Sequence, residues 1–281
     1  MSGPRISVCI CTRNRPSELV GCLASIRASR YPVGQVIVSD DGDDARARAV
    51  CEEAGEIAYL RGPKRGLCAN RNNALAAVAG THVLFLDDDA RLAPDFLEFA
   101  LAKIAAAVDG DRVIVTGREQ RPNGHETAAR EQSFLGFQEV SYDEHSELRT
   151  VVINAALFPA ALFDAIEFDE KIRYGYDEVD LTTRAVALGY RIVSAPQAVN
   201  LHRKSEDARD GYDAEVDASR LYVTFKRYAS TDRSRLRALG FAVAAPLHLL
   251  AAAVKSAGPR GVPRALSVLR VSAARTLAAN R

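Results

Sequence analysis

The stretch His82-Val-Leu-Phe-Leu86 runs without a break into Asp87-Asp-Asp89. Val-Leu-Phe-Leu has no polar alternation, so it reads as a strand buried on both faces. Three carboxylates stand at its carboxyl end. The pattern recurs upstream. Ile6-Ser-Val-Cys-Ile-Cys11 stops at Thr12-Arg-Asn-Arg-Pro16, and Val36-Ile-Val38 stops at Ser39-Asp-Asp-Gly42. Stretches with apolar residues at helical spacing lie between them, opening at Ser17 with Leu19, Val20, Leu23 and Ile26, and again around Ala47, Val50, Cys51 and Ala54. Strands buried on both faces and separated by helices predict an α/β fold, a mainly parallel sheet covered by helices on each side. In such sheets ligands bind outside the carboxyl ends of the strands. Thr12-Arg-Asn14, Asp40-Asp-Gly42 and Asp87-Asp-Asp89 all fall there.

The same reading continues along the chain. A strand is expected at 57–60, a helix at 67–78 ended by Gly80, and a helix through Ile104 with Pro94 at its first position. Val113-Ile-Val115 is the next strand. Residues 117–150 are polar, weakly periodic and expected to form a binding loop or lid. Strands follow at 151–157 and 191–194, with helices at 177–188 and 214–228. From Asp232 two Ala/Leu/Arg-rich helical segments are separated near Gly258-Pro-Arg-Gly-Val-Pro263. The expected organisation is one domain over 1–230 and a basic helical tail over 231–281.

Charge separates those two parts. The net charge is +1, but residues 231–281 alone carry +8, leaving −7 on the rest. An acidic body with a basic tail excludes a nucleic-acid partner and points the tail at an anionic surface. The five cysteines, Cys9, Cys11, Cys22, Cys51 and Cys68, form no CxxC pair, so reduced buried thiols are expected. No apolar run follows a basic start, and the near-apolar run 239–254 is short and interrupted by Pro246 and His248. Neither a signal peptide nor a transmembrane segment is read, and a cytoplasmic protein is expected.

An acidic strand edge repels a nucleoside diphosphate unless a divalent cation stands between them. Mg²⁺ and Mn²⁺ take carboxylate oxygens and bridge to phosphate, and Asp87 and Asp89 can place two carboxylates around one ion. A solvated acidic turn explains three aspartates alone equally well. Other nucleotide chemistries lack their signatures. There is no glycine between Cys11 and Pro16 for a dinucleotide fingerprint, no GxxxxGK[ST], and Ala90-Arg91 follows Asp89 where a phosphoaspartyl enzyme needs a different continuation.

Five segments together resemble the family 2 glycosyltransferases of GT-A fold, over residues 5–205. Ile6-Ser-Val-Cys-Ile-Cys-Thr-Arg-Asn14 resembles the family's opening strand, and Val36-Ile-Val-Ser-Asp-Asp-Gly-Asp43 its DDGS turn. Gly66-Leu-Cys-Ala-Asn-Arg-Asn-Asn-Ala74 resembles its GxxxARNxG segment, and Phe85-Leu-Asp-Asp-Asp89 its DxD motif. Tyr174-Gly-Tyr-Asp-Glu-Val-Asp-Leu181, with Arg184 and Gly189-Tyr-Arg-Ile192, resembles its GEDxDL…R…GYRI segment. The resemblance implies metal-dependent transfer from a nucleotide-sugar donor to an acceptor glycan, lipid-linked glycan or small natural product. It implies that Asp41 accepts from the base with Cys11 and Arg13 beside it, that Arg71, Asp87 and Asp88 help hold the donor, and that Asp89, with Asp87, binds Mn²⁺ or Mg²⁺. Glu178, at the position of the family's second acid, is implied as the first choice for the general base; the two acids stand in reversed order relative to the family's pattern, which leaves Asp177 as the second choice. His202 stands where some members carry a further metal ligand; an ordinary surface or core histidine is the alternative. Arg203 and Lys204 are placed to meet diphosphate oxygens. Asn154 and Phe168-Asp-Glu170 match family positions with structural roles. The resemblance also implies inversion by single displacement. A GT-A-like module that binds a sugar nucleotide or a partner without turnover is the competing reading. For the tail, a membrane surface, packing on the domain and a homodimer interface are left open.

Overall fold

The computed structural model describes residues 3–43, 45–143, 145–203 and 212–279. Its main sheet has the strand order β3-β2-β1-β4-β10-β6-β11-β5, with β7 added beside β6. These are β1 (Ile6–Thr12), β2 (Gln35–Asp40), β3 (Ile57–Arg61), β4 (His82–Asp87), β5 (Ala90–Arg91), β6 (Val113–Gln120), β7 (Glu126–Thr127), β10 (Ala156–Pro159) and β11 (Arg191–His202). The pairs β1–β2, β1–β4, β2–β3 and β6–β11 are parallel, while β10 runs antiparallel to both β4 and β6. The sheet is therefore mixed and mainly parallel. Two reversals at β10 return β6 and β11 to the direction of β4. The carboxyl ends of β1, β2, β4, β6 and β11 thus share one edge.

Helices cover both faces. On one side α1 (Pro16–Arg27), α2 (Arg46–Ala54) and α4 (Phe96–Ala105) pack Leu19, Leu23, Cys51, Phe96 and Leu97 against Val8, Ile10, Leu84 and Leu86. On the other, α3 (Leu67–Leu75) and α5 (Asp177–Ala187) pack Cys68, Val179 and Leu181 against Cys9, Ile37, Phe85 and Phe158. Alternate residues of β1 and β4 thus serve opposite cores, the physical meaning of strands with no polar face. All five cysteines are buried and unpaired.

Several expected boundaries are corrected. α3 stops at Leu75 rather than running to Val78. The Gln35 side chain donates to Ala77 O (2.8 Å) and accepts from Ala79 N (2.9 Å), drawing the backbone out of the helix. α4 begins at Phe96, with Asp95 rather than Pro94 at its boundary. Of the 151–157 run only Ala156 and Leu157 are strand, the start of a β10 that continues to Pro159; Ile153–Ala155 is a single 3₁₀ turn. The strand expected to end at Ser194 continues to His202, across a register shift between Ser194 and Val199. Pro196 lies in that irregularity, where a missing N–H is tolerated. The polar 117–150 segment is more ordered than its composition suggests. It extends β6, adds β7, and forms a hairpin of β8 (Arg130–Gln132) and β9 (Gln138–Ser141).

After α6 (Asp213–Lys226), the tail forms α7 (Arg235–Ala257) and α8 (Val262–Ala279). Ala238, Phe241, Ala245, Leu249, Ala265 and Val268 share a buried cluster with Ala218, Leu221 and Tyr228. The apolar helical run is longer than the 239–254 read from the sequence, because α7 continues through Pro246. The carbonyl that a proline leaves unbonded, four residues back, belongs to the exposed Ala242, where water can take it. Arg235–Ala278 is long and apolar enough, by length and composition, to cross a membrane.

Candidate active site

The shared strand edge opens into a cavity of about 920 Å³. Cys11, Arg13, Asp41, Asp87, Asp88, Asp89 and His202 line it. Register explains the assembly. Cys11 pairs with Asp87 across β1–β4, and Thr12 with Asp40 across β1–β2, so three loops leave the sheet at one level. The two-residue strand β5 then turns back and pairs antiparallel with the end of β11, setting His202 opposite Ala90. Arg203 N donates to Asp89 O (2.9 Å), closing the same turn. Asp89 and His202, 113 positions apart in the sequence, meet for that reason.

One carboxylate oxygen, or ring nitrogen, from each of Asp87, Asp89 and His202 lies within 4.8 Å of the others. His202 Nε2 is 3.2 Å from Asp89 Oδ1, and His202 Nδ1 donates to Glu119 Oε2 (2.8 Å). Burial disfavours the charged ring, but the hydrogen bonds to Asp89 and Glu119 outweigh it and push the pKa up to about 10. Glu119 therefore fixes the ring through Nδ1 and turns Nε2 toward the aspartates, an arrangement common behind metal-binding histidines. Two carboxylates and an imidazole brought this close together fit a divalent cation, which the ring ligates once its Nε2 proton is released.

Asp88 points away from this cluster. Thr12 Oγ1 donates to its Oδ2 (2.8 Å) and Arg15 Nη1 to its Oδ1 (3.2 Å), while Arg15 also reaches Asp89 Oδ2 (3.2 Å). Burial raises the Asp88 pKa to about 6 against the opposing pull of Thr12 and Arg15. Asp41 accepts from Lys64 N (2.8 Å) at Oδ1, and burial raises its pKa. A Cβ at Gly62 would run into the Asp41 carboxylate and the Asn70 amide, so glycine is required behind this wall. Cys11 is buried at the cavity floor, where desolvation pushes its thiol far above the usual range and keeps it neutral.

Arg71, Asp177 and Glu178 are not on the cavity wall. Arg71 is buried over the Phe85 and Phe168 rings, 6.0 and 5.4 Å from their centroids. It is ion-paired to Asp177 and reaches Asp87 Oδ1 at 3.4 Å. It ties the start of α5 to the metal-side aspartate. Gly175 and Tyr176, both at positive φ (74° and 63°), make the tight turn that delivers Asp177 and Glu178 to the first turn of α5. Glu178 accepts from Gln138 Nε2 on β9 (3.1 Å), and burial raises its pKa against that hydrogen bond. Arg71→Met is expected to cost about 3–5 kcal/mol, since two carboxylates lose a buried partner. Urea unfolding reads this directly. A midpoint within error of wild type would show that the bridge holds nothing in place.

Asn154, Glu119 and Tyr212 escaped the sequence reading in weight or altogether. Asn154 Oδ1 accepts from Asp87 N (2.7 Å), and its Nδ2 donates to Asp87 Oδ2 (3.1 Å) and Glu119 Oε1 (2.9 Å). Glu119 sits in the polar 117–150 segment and has no motif around it. Tyr174 and Tyr212 face each other at the cavity rim, ring centroids 4.6 Å apart. Lys204 lies outside the described residues.

The fold and this strand edge define a GT-A glycosyltransferase architecture. It is similar to the mannosyltransferase PcManGT from Pyrobaculum calidifontis, solved with GDP-Man and Mn²⁺ (TM-score 0.59, 21% identity, 98% of this chain and 76% of that one). It is also similar to TarS of S. aureus (TM-score 0.57, 18% identity, 97% and 54%). The sequence profile of glycosyl transferase family 2 matches residues 7–165, over half of the chain, and the chain belongs to that family. Among curated relatives, glycosyltransferase GlyA of Streptococcus pneumoniae is 31% identical over 104 residues, 36% of this chain and 15% of its own length. The GalNAc(5)-diNAcBac-PP-undecaprenol beta-1,3-glucosyltransferase of Campylobacter jejuni is 31% identical over 106 residues, 36% of this chain and 34% of its own. The succinoglycan biosynthesis protein ExoM of Rhizobium meliloti is 34% identical over 117 residues, 37% of this chain and 38% of its own. The matches thus span well under half of each of these relatives.

Proposed function

We propose that the protein transfers a sugar from a nucleoside-diphosphate donor to an acceptor hydroxyl, with inversion by single displacement and with Mn²⁺ held by Asp87, Asp89 and His202. The convergence of those three side chains at the floor of a large cavity carries the reading. When bound, the ion supplies Lewis-acid stabilisation of the departing diphosphate. Asp41, oriented by the Lys64 N–H, accepts from the donor's base beside Cys11 and Arg13. Arg15 balances the charge of Asp88 and Asp89. Asn154 and Glu119 hold Asp87 and His202 in position. Glu178, part-buried beside the cavity rather than on its wall, takes the proton of an acceptor that reaches past the wall to it, because Asp177 is committed to Arg71 and burial makes the Glu178 carboxylate more basic than a solvated one. Tyr174 and Tyr212 pack on each other in the cavity lining and remain 40 and 38% exposed, so only their outer surfaces are open to a sugar ring. The undecaprenol-linked glycan in the name of one relative favours a lipid-linked glycan as the acceptor.

The test is nucleoside diphosphate release from a panel of UDP-, GDP- and dTDP-sugars, with Mn²⁺, with Mg²⁺ and with a chelator. Release from one donor, abolished by the chelator and restored better by Mn²⁺ than by Mg²⁺, is the expected result. Saturable donor binding without release, with lipid-linked glycan acceptors present, would instead establish a binding module.

A further inference from the structure

We propose that the outer face of α7 and α8 docks on an anionic lipid bilayer. α7 has 23 residues, a rod about 34 Å long. Its inner stripe, Ala238, Phe241, Ala245 and Leu249, is buried against the domain. Its outer stripe is apolar too. Leu236, Leu239, Val243, Leu247 and Val254 recur at helical spacing and are 83, 67, 57, 63 and 48% exposed. Scattered exposed leucines are ordinary, whereas a row along a whole helix marks a binding face. Leu266, Val271 and Leu277 of α8 are exposed as well.

Charge identifies what covers this face. From Arg233 to the end of the chain there is no Asp or Glu, against eight Arg and one Lys. Arg275 is buried against Glu215, and Arg237 and Arg264 also reach Asp232 (3.6 Å) and Asp213 (4.0 Å), but both keep about half of their side chains exposed (49 and 58%). Arg233, Arg235 and Arg237 stand at one end of α7; Lys255, Arg260 and Arg264 stand around the other. A second copy of the same face would set cations against cations. Anionic headgroups neutralise them, while the leucines enter the acyl boundary. α7 lies along the interface rather than across it. Phe241 meets the Phe134 and Tyr228 rings (6.3 and 5.7 Å), and His248 meets Phe137 (5.6 Å), so one side of the helix stays fastened to protein.

The surface is linked to the cavity. Arg275 of α8 is ion-paired to Glu215 of α6, and Glu215 lines the cavity together with Tyr212. A bilayer under α7 and α8 therefore sets the rim near the plane where a lipid-linked acceptor resides. That consequence rests on the proposed transfer reaction; the docking surface itself does not.

Co-sedimentation with phosphatidylcholine vesicles, with and without phosphatidylglycerol, tests the proposal on the full chain. Wild type is expected to sediment with phosphatidylglycerol vesicles at low salt, to be released by high salt, and to stay in solution with phosphatidylcholine alone. The triple variant Leu239→Glu/Val243→Glu/Leu247→Glu, all at exposed positions, is expected to keep its Tm and donor hydrolysis and to bind at least about tenfold more weakly. Should it misfold, Arg235→Gln/Lys255→Gln/Arg260→Gln/Arg264→Gln is expected to show the same loss. Wild type that never sediments, or variants that bind as wild type does, would overturn the proposal. So would protein that resists alkaline carbonate extraction, which would mean a spanning helix. A wild-type dimer in light scattering that the triple variant breaks, without vesicle binding, would assign the face to a second copy. Absence of donor hydrolysis in wild type would count against the transfer reaction and leave the vesicle result standing.

Discussion

Asp89→Asn is expected to reduce sugar transfer by about 10³-fold or more, the scale of several kcal/mol of lost charge stabilisation. Asp89 is buried, with Oδ1 3.2 Å from His202 Nε2 and Oδ2 3.2 Å from Arg15 Nη1. Its charge thus pairs with Arg15 and with the protonated His202 ring, which must release its Nε2 proton when the carboxylate–imidazole set takes a metal ion. The amide keeps the shape of the side chain, so the loss reports on charge and ligation rather than on collapse of the turn. kcat/KM and Mn²⁺ titration should fall together, while urea unfolding changes far less. Asp89→Asn with wild-type turnover in the presence of a chelator would dismiss the metal-dependent account.

Glu178→Gln is expected to leave donor affinity intact and to lower kcat by about 10²–10⁴-fold, the usual contribution of a positioned general base. The amide can keep a hydrogen bond with Gln138 but cannot accept the acceptor's proton. Asp177→Asn is the informative contrast. Its charge neutralises buried Arg71, so its loss should appear first as lower stability. If Asp177→Asn stays folded and loses turnover, while Glu178→Gln falls by less than about tenfold, the base is Asp177. A product that retains the donor's anomeric configuration would contradict single displacement whichever acid is used.

The central strands were legible because burial on both faces leaves a continuous apolar signature, as in Val83–Leu86. Their acidic ends marked the working edge for the same reason, since polar groups there have no core to enter. What the sequence concealed depends on partners distant along the chain. His202 has little local context; its place follows from the β5–β11 pairing, and Pro196 disguises the strand that carries it. Glu119 reads as one more acid in a polar segment, although it holds the His202 ring. Arg71 looks like a ligand-facing arginine, yet Asp177 and Asp87 draw it behind the cavity wall. The tail's composition announced an apolar helix but not that it has two apolar sides, one of them already covered by α6 and the Phe134–Phe137 turn.

The most direct measurement is the anomalous diffraction of Mn²⁺ in crystals grown with MnCl₂ and a nucleoside diphosphate. One strong peak is expected in the cavity beside Asp87, Asp89 and His202, next to the bound diphosphate. A bound nucleotide with no manganese beside these residues, or manganese bound elsewhere, would contradict it.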